Sequence, residues 1–141
     1  MPPIPKYTHS RYGGNGLMPF RSAQSALSSI PRNAANHEIP SRIHGSYLPW
    51  DASTILPCCI TTAGPNGRGY PSGQRGLTCR EVASLQTFPH EHVFLGQGIR
   101  KQIGNAVPPL LAKALAETIR ATLNRASELE QRDDRRTAKA I

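Results

Sequence analysis

The sequence predicts an α/β chain made mostly of two helices and a few short strands, with an irregular N-terminal half. Three observations lead there. Leu, Ile, Val and Phe number fifteen in residues 77–123 but only seven in residues 1–45, so the ordered core belongs to the second half. Prolines at 2, 3, 5, 19, 31 and 40 interrupt the first 45 residues, where helices and ladders both need the N–H that proline lacks. Two stretches then carry helix signals. With 141 residues the chain has room for one domain, since domains cluster around ~100–150 residues. That length excludes a large two-domain enzyme complete within it.

Taken in chain order, Gly13-Gly14-Asn15-Gly16 reads as a turn or flexible segment. Residues 53–62 hold the β-branched Thr54, Ile55, Ile60, Thr61 and Thr62 and read as short extended pieces, with Pro57 confining the middle to an edge or a break. Residues 63–69, rich in glycine, follow as a loop. Thr78-Cys79-Arg80-Glu81 has the Thr-x-x-Glu pattern of a capping box. It opens a helix whose Val82, Ala83 and Leu85 face a core and which Pro89 stops. A second helix begins near Pro108 or Pro109, where a missing first-turn N–H costs nothing. Leu110, Leu111, Ala114, Leu115, Thr118, Ile119, Thr122 and Leu123 repeat on one face. That helix runs to about Arg125, and the charged tail beyond extends it as a solvated helix before fraying.

A formal net charge of +8 points to a polyanionic partner, with nucleic acid ahead of an acidic membrane surface. Thirteen of the seventeen cations are arginine, whose planar fork suits phosphates and base edges. The cations predominate before and around the middle of the chain, whereas residues 127–141 are balanced. No run of ~18 apolar residues is present, and Met1-Pro2-Pro3-Ile4-Pro5 does not open a secretory signal. Cys58, Cys59 and Cys79 are an odd number with two adjacent, which gives no disulfide framework and suits a reducing, intracellular setting. His90 and His92 have no partners at metal-ligand spacing and read as surface residues, so no metal site is expected.

The most specific text is Arg75-Gly76-Leu77-Thr78-Cys79-Arg80-Glu81-Val82-Ala83-Ser84-Leu85-Gln86-Thr87-Phe88-Pro89, followed by Gln102-Ile103-Gly104-Asn105-Ala106-Val107-Pro108-Pro109. Both blocks, in this order and with this short gap, resemble the last two signature motifs of the DNA (cytosine-5) methyltransferases. The resemblance covers roughly residues 47–125. It implies four segments: an irregular stretch at 1–46, the end of the target-recognition region at 47–76, the C-terminal part of a Rossmann-like methyltransferase domain at 77–126, and a charged tail at 127–141.

The first block reads as a supporting helix that organises the recognition region. Arg75, just ahead of the cap, is a candidate for a DNA phosphate or for a structural carboxylate. In the second block Gly104 permits close backbone approach, Asn105 offers an amide donor and acceptor, and the two prolines launch a helix. The resemblance implies that a loop carrying Gly104, Asn105 and Ala106 lines the S-adenosyl-L-methionine pocket. Ile60-Thr61-Thr62-Ala63-Gly64 is similar to a strand leading into a base-contacting loop, which makes Thr61, Thr62 and Arg68 candidates for DNA contact.

The same family needs a cysteine thiolate to attack cytosine C6, a glutamate to assist at N3, and a glycine-rich turn to hold the methyl donor. The Pro-Cys-Gln and Glu-Asn-Val motifs that supply the first two do not occur in this sequence, and its one Phe-x-Gly-x-Gly match, Phe94-Leu95-Gly96-Gln97-Gly98, lies between the two signature blocks and not upstream of the recognition region, where the family carries the donor motif. Leu56-Pro57-Cys58-Cys59 has cysteine where glutamine belongs, so no catalytic residue is assigned. The leading expectation is therefore a C-terminal methyltransferase segment, inactive alone, whose partners are DNA and a complementary N-terminal half. S-adenosyl-L-methionine would bind only with that half, and the location would be intracellular, nuclear in a eukaryote. A non-catalytic basic DNA-binding module and a non-functional remnant remain the alternatives, and truncated, split and degenerate origins stay open.

Overall fold

The computed structural model describes residues 3–40, 47–56, 58–65 and 67–138. Pro57 and Asn66, assigned above to a strand break and a loop, lie outside the described residues. The elements in chain order are β1 (His9–Ser10), β2 (Met18–Pro19), α1 (Ala23–Ser28), β3 (Ile60–Thr61), β4 (Gly64–Pro65), α2 (Cys79–Leu85), α3 (Ile99–Asn105) and α4 (Pro109–Ala138). Helices mix with short strands, as an α/β chain requires. The β1–β2 pair is parallel and the β3–β4 pair antiparallel. A Rossmann-like sheet, implied by the resemblance, is not formed among the described residues.

The chain forms two compact units. The larger spans residues 8–109, and the smaller combines the N-terminal residues with 110 onward. In the larger unit Leu77, Val82, Ala83, Phe94 and Ile103 make the buried core, with Leu27, Ile60, Tyr70, Leu85, Phe88 and Ile99 packed around it. Helix α2 begins as its sequence pattern predicts. The Thr78 hydroxyl accepts from the Glu81 N–H at 3.1 Å, and the Glu81 carboxylate accepts from the Thr78 N–H at 2.7 Å. Two of the four N–H groups that a helix start leaves unpaired are thereby satisfied.

The N-terminal stretch is more ordered than its prolines predict. Ser22 caps α1, its hydroxyl accepting from the Ser25 N–H. The first donors of α1 are met from outside the helix, by Thr54 O at 3.0 Å and Ala52 O at 2.7 Å. The side chain of Asn36 pairs with Phe94 in both directions, donating to its carbonyl at 3.3 Å and accepting from its N–H at 3.0 Å. Tertiary hydrogen bonds of this kind order a segment that has few apolar residues of its own. The expected extended run over 53–62 narrows to Ile60–Thr61, and the expected loop after it supplies β4.

The smaller unit is dominated by α4. Thirty residues at 1.5 Å each make a rod of about 45 Å. It starts at Pro109 and continues past Arg125 through the charged segment, as the tail composition suggests. Leu110, Leu111, Leu115, Ile119, Leu123 and Leu129 along it are 40–62 % exposed. That is a long apolar face open to solvent.

Candidate functional site

Helix α3 carries the second signature block, and it corrects the expectation of a loop there. Gly104 and Asn105 form its last turn, and only Ala106 onward leaves the helix. Gly98 supplies the start with φ +70°, a left-handed conformation that glycine adopts without strain. Gln102 fastens the preceding turn by donating to Leu95 O at 3.0 Å and Gln97 O at 3.2 Å. Ile103 points into the core and is fully buried.

The close approach that Gly104 permits is to protein backbone. A Cβ built at Gly104 would come closer than 3.0 Å to the backbone of Thr61 and Thr62, a separation that real Cβ atoms essentially never reach. The missing side chain thus lets α3 seat directly on the β3–β4 hairpin. Helix α3 and the β3–β4 hairpin are one packed unit.

Within the hairpin, the Thr61 hydroxyl donates to Gly64 O at 2.8 Å and accepts from the Ala63 N–H at 3.3 Å, so it braces the turn. Thr62 is exposed. Arg68 is half-buried, and among the described residues its guanidinium makes no hydrogen bond. Arg100 on α3 reaches past Gly64 and donates to Leu77 O, which ties the hairpin, α3 and the approach to α2 together.

Arg75 takes the structural carboxylate. Its guanidinium grips Glu81 with two parallel bonds, Nη1 to Oε2 at 2.8 Å and Nη2 to Oε1 at 2.7 Å, and Nη1 also donates to Gly76 O at 2.9 Å. The guanidinium lies 3.9 Å from the centre of the Tyr70 ring, close enough for cation–π attraction. Its hydrogen bonds to Glu81 raise the Arg75 pKa above its ordinary value and outweigh burial. Burial pushes the Glu81 carboxyl up, yet the bonds from Arg75 and the Thr78 N–H, with the charges of Arg75 and His37, hold it below its usual range.

Arg80, one position before Glu81, is a structural side chain whose role sequence reasoning missed. It is fully buried. Its Nε donates to Ala35 O at 2.8 Å, Nη1 to Pro89 O at 3.1 Å, and Nη2 to His92 O. Burial lowers its pKa from the ordinary value. A buried cation is tolerable when its donors are met, and three carbonyls from two distant segments meet them here. An arginine embedded in the apolar helix run of a capping box was the available signal, since exposed arginines have no need of that position.

The two blocks are joined by Gln86, whose amide donates to Ala106 O at 3.0 Å. Of the three residues expected along the donor pocket, Gly104 is therefore engaged by the hairpin and the carbonyl of Ala106 by Gln86. Asn105 is exposed, and among the described residues its amide makes no hydrogen bond. That free donor and acceptor fit a zwitterionic ligand, while Gly104 and Ala106 fix where the amide sits. Cys58 is half-buried and Cys59 exposed. No cluster of metal-ligating residues occurs among the described residues. Nor is any described helix long and apolar enough to cross a membrane.

Comparison with known proteins agrees with this arrangement of motifs. The family profile described as C-5 cytosine-specific DNA methylase matches residues 8–121. The chain is 34% identical to the type II methyltransferase M.NgoFVII of Neisseria gonorrhoeae over 82% of its own length and 40% of that protein. It is 35% identical to M.PspPI of a Psychrobacter strain, over 78% of the chain and 31% of that enzyme. A shorter stretch, 32% of the chain, is 60% identical to M1.HphI of Haemophilus parahaemolyticus. No solved structure matches. The chain spans less than half the length of these relatives, and it belongs to the C-5 cytosine-specific DNA methylase family.

Proposed function

We propose that the chain is the C-terminal part of a DNA cytosine-5 methyltransferase and acts by completing a catalytic half carried elsewhere. The reaction of the assembled enzyme is methyl transfer from S-adenosyl-L-methionine to C5 of cytosine in DNA. The observation that carries this reading is the seating of α3 on the β3–β4 hairpin. It joins a DNA-facing element to a cofactor-facing one; the Asn105 amide makes no hydrogen bond among the described residues, and Leu111, Leu115, Ile119 and Leu123 of α4 are exposed.

In this reading S-adenosyl-L-methionine supplies the methyl group, and Asn105 holds one polar end of it. Gly104 and Ala106 set the position of that amide through the hairpin and Gln86. The exposed Thr62 and the Arg68 guanidinium, which makes no hydrogen bond among the described residues, face DNA, while Thr61 and Arg75 hold the surface that presents them. The nucleophile and the glycine-rich turn come from the complementary half, so the chain alone transfers no methyl groups. The exposed stripe on α4 is where that half docks, because burying a Leu or Ile contributes about 1.5–3 kcal/mol per side chain.

Co-expression with a cytosine-5 methyltransferase half carrying Pro-Cys-Gln, Glu-Asn-Val and Phe-x-Gly-x-Gly tests the proposal. The expected result is a co-purifying complex that methylates DNA. Leu115→Asp prevents assembly by placing a charge in the apolar contact, and Asn105→Ala weakens donor binding without preventing assembly. Methylation by the chain alone, or assembly indifferent to Leu115→Asp, would overturn the reading.

A further inference from the structure

A groove of about 540 Å³ lies in the larger unit and is lined by none of the candidate site residues described above. Its walls include Arg11, Tyr12, Phe20, Ser53, Thr54 and Ile55. The parallel register of β1 and β2 builds it. Ser10 pairs with Pro19, so the next residue along each strand, Arg11 and Phe20, emerge side by side. The opposite wall is held by the bonds of α1 to Ala52 O and Thr54 O.

The chemistry of this groove is specific. Tyr12 is 84% exposed and Phe20 48%, an arrangement that costs solubility unless the rings meet something flat. The Arg11 guanidinium sits 5.5 Å from the centre of the Tyr12 ring. No acidic side chain lines the groove, and Arg21 follows Phe20 in a segment where, over residues 3–37, every charged residue is a cation. A cation beside open aromatic faces suits a ligand that offers phosphate and π surface together. In a DNA duplex the base faces are stacked away, whereas an unpaired strand presents them.

We infer that this groove binds an unpaired stretch of DNA strand, with phosphate on Arg11 and bases against Tyr12 and Phe20. The inference rests on the reading of DNA as the substrate and extends it to a surface that holds a strand opened near the target base. A base must leave its stack for chemistry at its ring, and a groove for unpaired nucleotides favours that opened state.

Fluorescence anisotropy on the full chain, with a labelled 12-nucleotide single strand and the corresponding duplex, tests it. Tyr12→Ala and Phe20→Leu each weaken single-strand binding by roughly 5- to 100-fold, the effect of losing a stacked base. Tyr12→Phe retains the affinity, because the ring remains. Arg11→Gln reduces the slope of log affinity against log salt by about 0.7, one phosphate contact on a single strand. Duplex binding changes less than about twofold in the ring variants. If the unsubstituted chain binds DNA but Tyr12→Ala leaves single-strand affinity unchanged, or lowers duplex affinity equally, the groove assignment alone is overturned. If the unsubstituted chain binds neither form, both this inference and the DNA reading beneath it fail.

Discussion

Gly104→Ala separates two roles for one residue. In a helix interior, replacing glycine with alanine ordinarily stabilises by about 0.5–1 kcal/mol, because the unfolded chain loses freedom. Gly104 lies in α3 with no left-handed φ, so backbone conformation gives alanine no penalty. The added Cβ would nonetheless press within 3.0 Å of backbone atoms of Thr61 and Thr62. Backbone cannot rotate aside as a side-chain tip can, so α3 and the hairpin must separate. Overpacking of this kind costs about 1–3 kcal/mol, and subtracting the helix gain, at the middle of each range, leaves a net loss of about 1 kcal/mol. Urea unfolding followed by fluorescence of Trp50, the single tryptophan, measures it. With a slope near 1–2 kcal/mol per molar, the midpoint falls by up to about 1 M. A midpoint that stays put or rises would refute the packing argument. If Gly104 served only a bound ligand, the cofactor-free chain would show no loss at all.

Three further outcomes follow from the buried charges. Glu81→Gln destabilises by about 3 kcal/mol, because breaking one side of a hydrogen-bonded ion pair strands its partner and Arg75 is only slightly open to water. The pH dependence carries a sign. The Glu81 carboxyl is held low in the folded chain, so its stabilisation is complete above the ordinary carboxylate range, about pH 4.3, and is lost as pH falls below it. Thermal melts between pH 3 and 7 should show a steeper acid-side fall in the unsubstituted chain than in Glu81→Gln, and parallel curves would refute the assignment. Arg80→Met removes the donors serving Ala35, Pro89 and His92; at about 1–3 kcal/mol for each buried group left unsatisfied, the larger unit should lose cooperative unfolding by calorimetry. Retention of a sharp transition within 1 kcal/mol of the unsubstituted chain would show that water replaces the guanidinium at no cost.

What was legible in the sequence was what depends on near neighbours. The α2 start is written in Thr78 and Glu81, three residues apart, and the α4 face in a repeat long enough to count. Helix α3 was hidden because its cap is a glycine with no side-chain bond and it contains Gly104, both of which read as loop. Helix α1 was hidden for a different reason: six residues with one buried alanine carry no periodicity. Among the site residues, a close approach at Gly104 was readable from glycine itself, but its object was not, since Thr61 lies 43 positions upstream. For Arg75 the sequence left phosphate and carboxylate both open, and the six-residue step to Glu81 is not a helical spacing that pattern reading would pair.

The bonds at Ala35 and Asn36 also govern the order of folding. Arg80 meets a carbonyl 45 residues upstream, and Asn36 meets a backbone 58 residues downstream. Contacts across such distances demand that a long loop close before anything rewards the closure. During synthesis the early segment emerges without its counterpart and must wait until Phe94 leaves the ribosome. Helix α2 can form sooner from its own cap, but its arginine stays hydrated until the first third of the chain returns to it. The larger unit therefore consolidates late and in one step, and a chain trimmed to begin after residue 40 would retain both signature blocks yet lack the carbonyl and amide that close the ring around them.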